Sequence, residues 1–200
     1  MLNLDDLRSL FVGLCAHLRD NPPPWPGIGH TWTSAVKRYF CRVVPQGCEV
    51  WLEVPVRMPG HTRAKPLDMA WAKTYPESTE DKLVLALEFE QSGWNAKDDG
   101  AWWRSAEEES DKILRANAQV GVLILSRDRS KSELDHGYLG RATARIDKAF
   151  NGRRTGKWLL VVLLTPPLKN NEGHCTAHGF IYGKSGTKYE LGSIDCWREA

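Results

Sequence analysis

The chain has no apolar run approaching the ~20 residues that a membrane-spanning helix needs. Its first residues also lack the charged, apolar and small-residue order of a secretory signal, so a cytoplasmic protein is expected. Cysteine is sparse. Cys15, Cys41, Cys48, Cys175 and Cys196 are an odd number with no paired short spacing, which argues against a disulfide framework and for reduced thiols. There is no Gly-x-Ser-x-Gly elbow and no phosphate-binding Gly-rich loop of either common kind, so the nucleophile and nucleotide sites that those motifs build are excluded. Internal repeats and low-complexity tracts are absent too. Net charge is only +2, from 27 basic and 25 acidic residues, and by itself points to no polyanionic or polycationic partner.

What is present suits one compact domain over residues 1–200. A chain of 200 residues that is 42% hydrophobic is long enough to bury a real core. Its charge, though balanced, is segregated: Glu77 to Asp111 holds eleven acids and three basic residues, whereas Ser126 to Lys157 holds nine basic residues and four acids. Such runs serve either as two solvated faces or, brought together by the fold, as a basic rim that holds a polyanion near an acidic site.

Local patterns predict a mixed α/β fold. Asn3 is a helix cap, Asp5 and Asp6 follow it, and Leu4, Leu7, Leu10, Phe11, Leu14 and Leu18 keep helical spacing. The Pro-rich stretch Asn21 to Gly29 stops that helix, and Ser34 to Phe40 suits a short second one. Cys48 to Met58 alternates as a strand, turned back by Met58-Pro59-Gly60. Lys65 to Lys73 and Lys82 to Gln91 alternate as well, separated by the turn-rich Tyr75 to Glu80. A helix from Trp102 to about Asn117 precedes the apolar run Val120 to Leu125, which reads as a buried strand and closes a crossover unit. Leu139, Ala142, Ile146, Ala149 and Phe150 share a further helical face. Trp158 to Thr165 is a second buried strand, and Ala177 to Tyr182 with Lys188 to Ile194 form a terminal hairpin within residues 177–194.

Three acids gain meaning from this layout. In Lys82 to Gln91 the period of two sets Leu83, Leu85, Leu87 and Phe89 on one face and Val84, Ala86, Glu88 and Glu90 on the other. In the preceding strand Leu67, Met69 and Trp71 oppose Asp68, Ala70 and Ala72. A hairpin centred near Ser78 pairs residues whose numbers sum to 156, putting Asp68 opposite Glu88 and Ala70 opposite Ala86. Carboxylates so gathered repel unless a cation or protons intervene. Hard oxygen ligands favour Mg2+ or Mn2+, an ion able to polarise a phosphoryl oxygen and generate hydroxide for phosphodiester hydrolysis. The alternative is a half-exposed strand whose acids simply meet solvent.

The order of helix, three-stranded meander, helix and strand, with Pro66-Leu67-Asp68 and Glu88-Phe89-Glu90 in its second and third strands, resembles the PD-(D/E)XK nuclease superfamily over roughly Asn3 to Ser126. The resemblance implies a restriction-endonuclease-like mixed sheet flanked by helices. It also implies a divalent-metal-dependent nuclease acting on DNA in preference to RNA, with Asp68, Glu88 and the backbone carbonyl of Phe89 ligating Mg2+ or Mn2+. Two departures stand out: Leu67 separates the proline from Asp68, and Glu90 replaces the usual lysine. Glu90 then becomes a third ligand or a water-positioning base, and Lys112 on the following helix becomes the candidate for the missing positive charge. Glu108, four residues before Lys112, offers it an ordinary helical ion pair instead. Lys65 and Lys73 are weaker candidates, and Asp5, Asp6 and Asp20 of the first helix read as end residues rather than site residues.

Arg141, Arg145, Arg153 and Arg154 are candidate phosphate contacts. A homodimer or a larger assembly would fit such a nuclease, and the second functional class is a catalytically inactive scaffold that binds nucleic acid or protein. His174, Cys175, His178 and Cys196 match no standard zinc spacing. Nine tryptophans suit either base stacking or core anchoring.

Overall fold

The structure is a computed structural model, and it describes residues 2–22, 29–76, 82–91, 99–128, 139–140, 143–144, 146–148, 157–165, 174–183 and 187–198. Ten elements follow in order: α1 (Leu4–Asp20), α2 (Gly29–Arg42), β1 (Glu49–Val56), β2 (Lys65–Ala72), β3 (Leu83–Gln91), α3 (Asp99–Arg115), β4 (Ala118–Asp128), β5 (Lys157–Thr165), β6 (His174–Tyr182) and β7 (Lys188–Arg198). Residues 139–140, 143–144 and 146–148 are also helical.

All seven strands form one sheet in sequence order. β1, β2 and β3 are an antiparallel meander, β3, β4 and β5 run parallel, and β6 and β7 return antiparallel. Only crossovers can join the parallel strands, and α3 makes the first of them. The middle strands are covered on both faces, which is why Val120 to Leu125 and Trp158 to Leu164 read as unbroken apolar runs. Among the described residues no helix is long and apolar enough to cross a membrane.

One core lies between the sheet and α1 with α2, and the other between the sheet and α3. α1 begins with a capping box in which the Asn3 side chain accepts from Asp6 N–H and Asp6 answers the Asn3 N–H. Its Leu7, Leu10, Phe11, Leu14, Cys15 and Leu18 are buried. α2 is longer than the expected Ser34–Phe40, because Trp32, Ala35, Val36, Tyr39 and Phe40 form a complete buried stripe at helical spacing. The Trp71 indole N–H then ties it to the sheet by donating to the Phe40 carbonyl at 3.2 Å. α3 presses on β4 at Gly121, where a Cβ would come within 2.6 Å of Ile113 and 2.8 Å of Trp158. Only glycine permits so close an approach.

The β2–β3 register is the expected one: Met69 pairs with Leu87, Ala70 with Ala86 and Trp71 with Leu85. The faces alternate as predicted except at the strand starts. Met69, Trp71, Leu85, Leu87 and Phe89 face α1 and α2, while Ala70, Ala72 and Ala86 face α3. Leu67 and Leu83 join the α3 side instead. The break near Leu67 has a local cause. Glu53, opposite Asp68 between the pairs Leu52↔Met69 and Val54↔Leu67, takes a left-handed φ of 55°, and beyond it Val54, Val56 and Leu67 all turn to the α3 side.

Candidate active site

Asp68 sits at that irregularity, and its side chain is used within the sheet. Its Oδ2 accepts the Phe89 backbone N–H at 2.9 Å, so the carboxylate takes a place that a β2 carbonyl would otherwise fill. Its Oδ1 lies 2.9 Å from Lys37 Nζ, which reaches across from α2, and the two side chains keep 22% and 24% exposure. Asp68 is thereby fixed at both oxygens and half-buried.

Glu88 lies one step beyond the Met69–Leu87 pair and points to the α3 side. It is only 2% exposed, and its Oε1 is 2.9 Å from Lys112 Nζ. No well-aligned hydrogen bond reaches that oxygen. The Lys112 ammonium also donates to the Pro66 carbonyl at 3.1 Å and meets Glu109 one turn back on α3. Burial pushes the Glu88 carboxyl up to about 11, helped by its hydrogen bond to Glu109 and the Glu109 and Asp68 charges, and opposed by Lys112. Glu88 therefore keeps its proton at neutral pH and donates it to Glu109. Burial alone would lower the Lys112 ammonium, but Glu88 and Glu109 together hold it above its ordinary value.

Glu90 completes the group. Burial raises its carboxyl to about 7; a hydrogen bond with Ser105 of α3 works against this, and the Glu109 and Asp68 charges add to it. The Asp68 charge adds to the upward shift of both Glu88 and Glu90, but the single acidic face expected from the sequence does not form as drawn, because Asp68 pairs with Lys37 of α2 while Glu88 turns to Lys112 of α3. The expected Glu108–Lys112 pair does not form. Glu108 reaches Lys65 on β2 instead, which leaves Lys112 to turn inward. Lys73 is exposed.

Three contributors were not anticipated: Ser105, Glu109 and Lys37. Ser105 and Glu109 lie with the anticipated Lys112 at i, i+4 and i+7 on α3, a stripe visible in the sequence once α3 is known to cover β3. Lys37 carries no such signal, since it borders the apolar stripe of α2. Arg141, Arg145, Arg153 and Arg154 lie outside the described residues. Phe89 enters the site through its N–H. Cys175 and Cys196 are buried beside Cys15 in the α1 core, with Cys196 hydrogen-bonded to both.

The donor chemistry of Asp68, Glu88, Glu90 and Glu109 fits a hard divalent ion, and buried Glu88 Oε1 has no aligned donor to satisfy it. As they stand, Lys37 and Lys112 neutralise these acids, and among the described residues no three His, Cys, Asp or Glu side chains form a ready ligand set. Comparison with protein-family models, curated proteins and solved structures finds no match to this chain.

Proposed function

We propose that this protein is a divalent-metal-dependent nuclease of the PD-(D/E)XK kind, hydrolysing phosphodiester bonds in DNA in preference to RNA. The observation that carries the reading is the buried 2.9 Å contact of Glu88 with Lys112 of α3, with Asp68 of the neighbouring strand held by the Phe89 backbone N–H at 2.9 Å. The Lys112 ammonium, 2.9 Å from Glu88, would in this reading stand in for the lysine that Glu90 displaces from the usual motif.

In this reading Asp68, Glu88 and the Phe89 carbonyl would hold Mg2+ or Mn2+, which would supply Lewis acidity for phosphodiester hydrolysis. Glu90, with its carboxyl near pH 7, is poised to take a proton from an attacking water held by hydrogen bonding. The Lys112 ammonium adds positive charge where the phosphorane becomes more negative than its precursor. Asp68 is preorganised by the Phe89 N–H, so its second oxygen is available once Lys37 swings away. Arg141, Arg145, Arg153 and Arg154 remain proposed phosphate contacts, and cytoplasmic location and a dimeric or larger assembly belong to the same proposal.

A second reading, an inactive scaffold that binds nucleic acid or protein, draws on the buried Glu88–Lys112–Glu109 cluster, which satisfies its own charges without a metal. Cleavage assays on single- and double-stranded DNA and RNA with Mg2+ or Mn2+ decide between them. Metal-dependent cutting that falls at least about a hundredfold in both Asp68→Ala and Glu88→Ala is expected, the size typical for losing a group that acts in the transition state. No cutting, with no Mn2+ binding by calorimetry, would establish the scaffold.

A further inference from the structure

From Asn21 to Cys48 the sequence contains no aspartate or glutamate, yet it carries His30, Lys37, Arg38 and Arg42. Most of that stretch is α2. Arg38 and Arg42 lie one turn apart, about 6 Å along the axis, and both are exposed. Among the described residues no carboxylate pairs with either. The next residue to Arg38, Lys37, points the other way and reaches Asp68 at 2.9 Å. One helix therefore joins an unneutralised cationic face to the edge of the acidic site.

The neighbouring helix confirms where those charges gather. His17 of α1 packs against Tyr39 of α2, ring centroids 5.7 Å apart. Its imidazole is held below the ordinary histidine range by burial and by the charges of Arg42 and Arg38, with Asp20 opposing. Asp20 itself pairs with Arg19. An intramolecular role would have given the two guanidiniums a partner acid, and this stretch of chain supplies none. Their spacing and repulsion suit a ligand that brings evenly spaced negative charges of its own.

We propose that the exposed face of α2, with Arg38 and Arg42 outside and Lys37 at the junction with Asp68, is the track that binds the phosphate backbone of the nucleic acid. The proposal rests on the nuclease reading. It adds to the arginines of residues 141–154 a second surface, set on a helix rigidly docked through Trp71 and Phe40. Phosphate contacts of this kind position the strand and do not read bases.

The test is fluorescence anisotropy with labelled single- and double-stranded DNA of random sequence, in EDTA, across about 50 to 200 mM NaCl. The full chain is compared with Arg38→Gln/Arg42→Gln. The control is Lys73→Gln/Lys82→Gln, which removes the same charge five or six residues along β2 and β3 from Asp68 and Glu88, roughly 17–20 Å away. Glutamine keeps helix propensity, and thermal melts establish that all three proteins fold. Loss of two phosphate contacts should flatten the slope of log K against log salt by about 1.8 on duplex or about 1.4 on single strand. Affinity at low salt should fall at least about tenfold, while the control stays near the parent. Equal behaviour of the two double variants would overturn the α2 track and leave the nuclease reading standing. Absence of any DNA binding by the parent protein would overturn both.

Discussion

Two carboxylate–ammonium pairs, each 2.9 Å long, flank the same pair of strands, and they do different things. Lys37–Asp68 on the α2 side keeps nearly a quarter of each side chain in water, whereas Lys112–Glu88 on the α3 side keeps 9% and 2%. At the exposed pair solvent competes with the contact, and the usual worth is about 0–1 kcal/mol. At the buried pair desolvation is the larger effect, and the site meets it with a proton on Glu88, with the Pro66 carbonyl and with Glu109. Distance alone therefore says little about what an ion pair contributes. Burial decides whether it is a soft contact that a ligand can replace or a closed unit that the fold depends on.

The largest test of this contrast is Lys112→Met. It leaves Glu88 and Glu109 buried together without a cation, and the expected loss of folding stability is about 3–5 kcal/mol, read from urea unfolding at neutral pH in EDTA. A loss below about 1 kcal/mol would mean that the α3 pair behaves like the α2 pair.

Next in size is the pH dependence. The folded-state pKa of Glu88 lies above its unfolded value, so the folded protein binds more protons and stability falls as pH rises above the ordinary carboxylate range. Glu90 acts in the same direction, is half titrated at about pH 7 and adds equally to both proteins beyond it, and Lys112, held high, does not titrate below its ordinary range. Between about pH 7 and about pH 8.5, Glu88→Gln should therefore flatten the decline by up to about 1.4 kcal/mol per pH unit, the limit for one proton. Thermal melts of the two proteins in EDTA read it directly. Parallel curves would mean that Glu88 is ionised in the folded state.

How much of this site the sequence discloses follows the same divide. The turn-rich stretch and the alternation on both sides of it make the β2–β3 register legible before any coordinates, but not the division of the acids, with Asp68 turned to Lys37 of α2 and Glu88 to Lys112 of α3. The crossover through α3 is legible too, from the acidic helix and the apolar run after it. Lys112 is legible as a candidate from the resemblance, but its partners are not, because Lys65 draws Glu108 away and Lys112 turns to Glu88 and Glu109. Periodicity within one helix favours the local Glu108–Lys112 pair, and a contact from another strand outcompetes it. The face switch at Leu67 depends on a single left-handed residue, Glu53, for which glutamate gives no warning. Lys37 depends on where α2 docks, which is decided by Trp71 and Phe40 rather than by anything near the lysine.

The smallest effect tests the other half of the contrast. Lys37→Met removes a cation from Asp68 but leaves the Phe89 N–H on its second oxygen, so the carboxylate stays anchored and partly hydrated. The expected cost is about 0.5 kcal/mol, within the usual range for a solvent-screened pair, and it should fade as NaCl is raised and screening shortens the reach of the charge. Urea unfolding of parent and variant at low and high salt measures both the size and its salt dependence. Because Asp68 remains fixed by the backbone, the variant should also bind Mn2+ at least as well as the parent, since the ammonium and the ion compete for the same oxygen. A salt-independent cost as large as that of Lys112→Met, with Mn2+ binding weakened, would make the α2 pair a structural unit like its buried counterpart and remove the distinction between the two sides of the sheet.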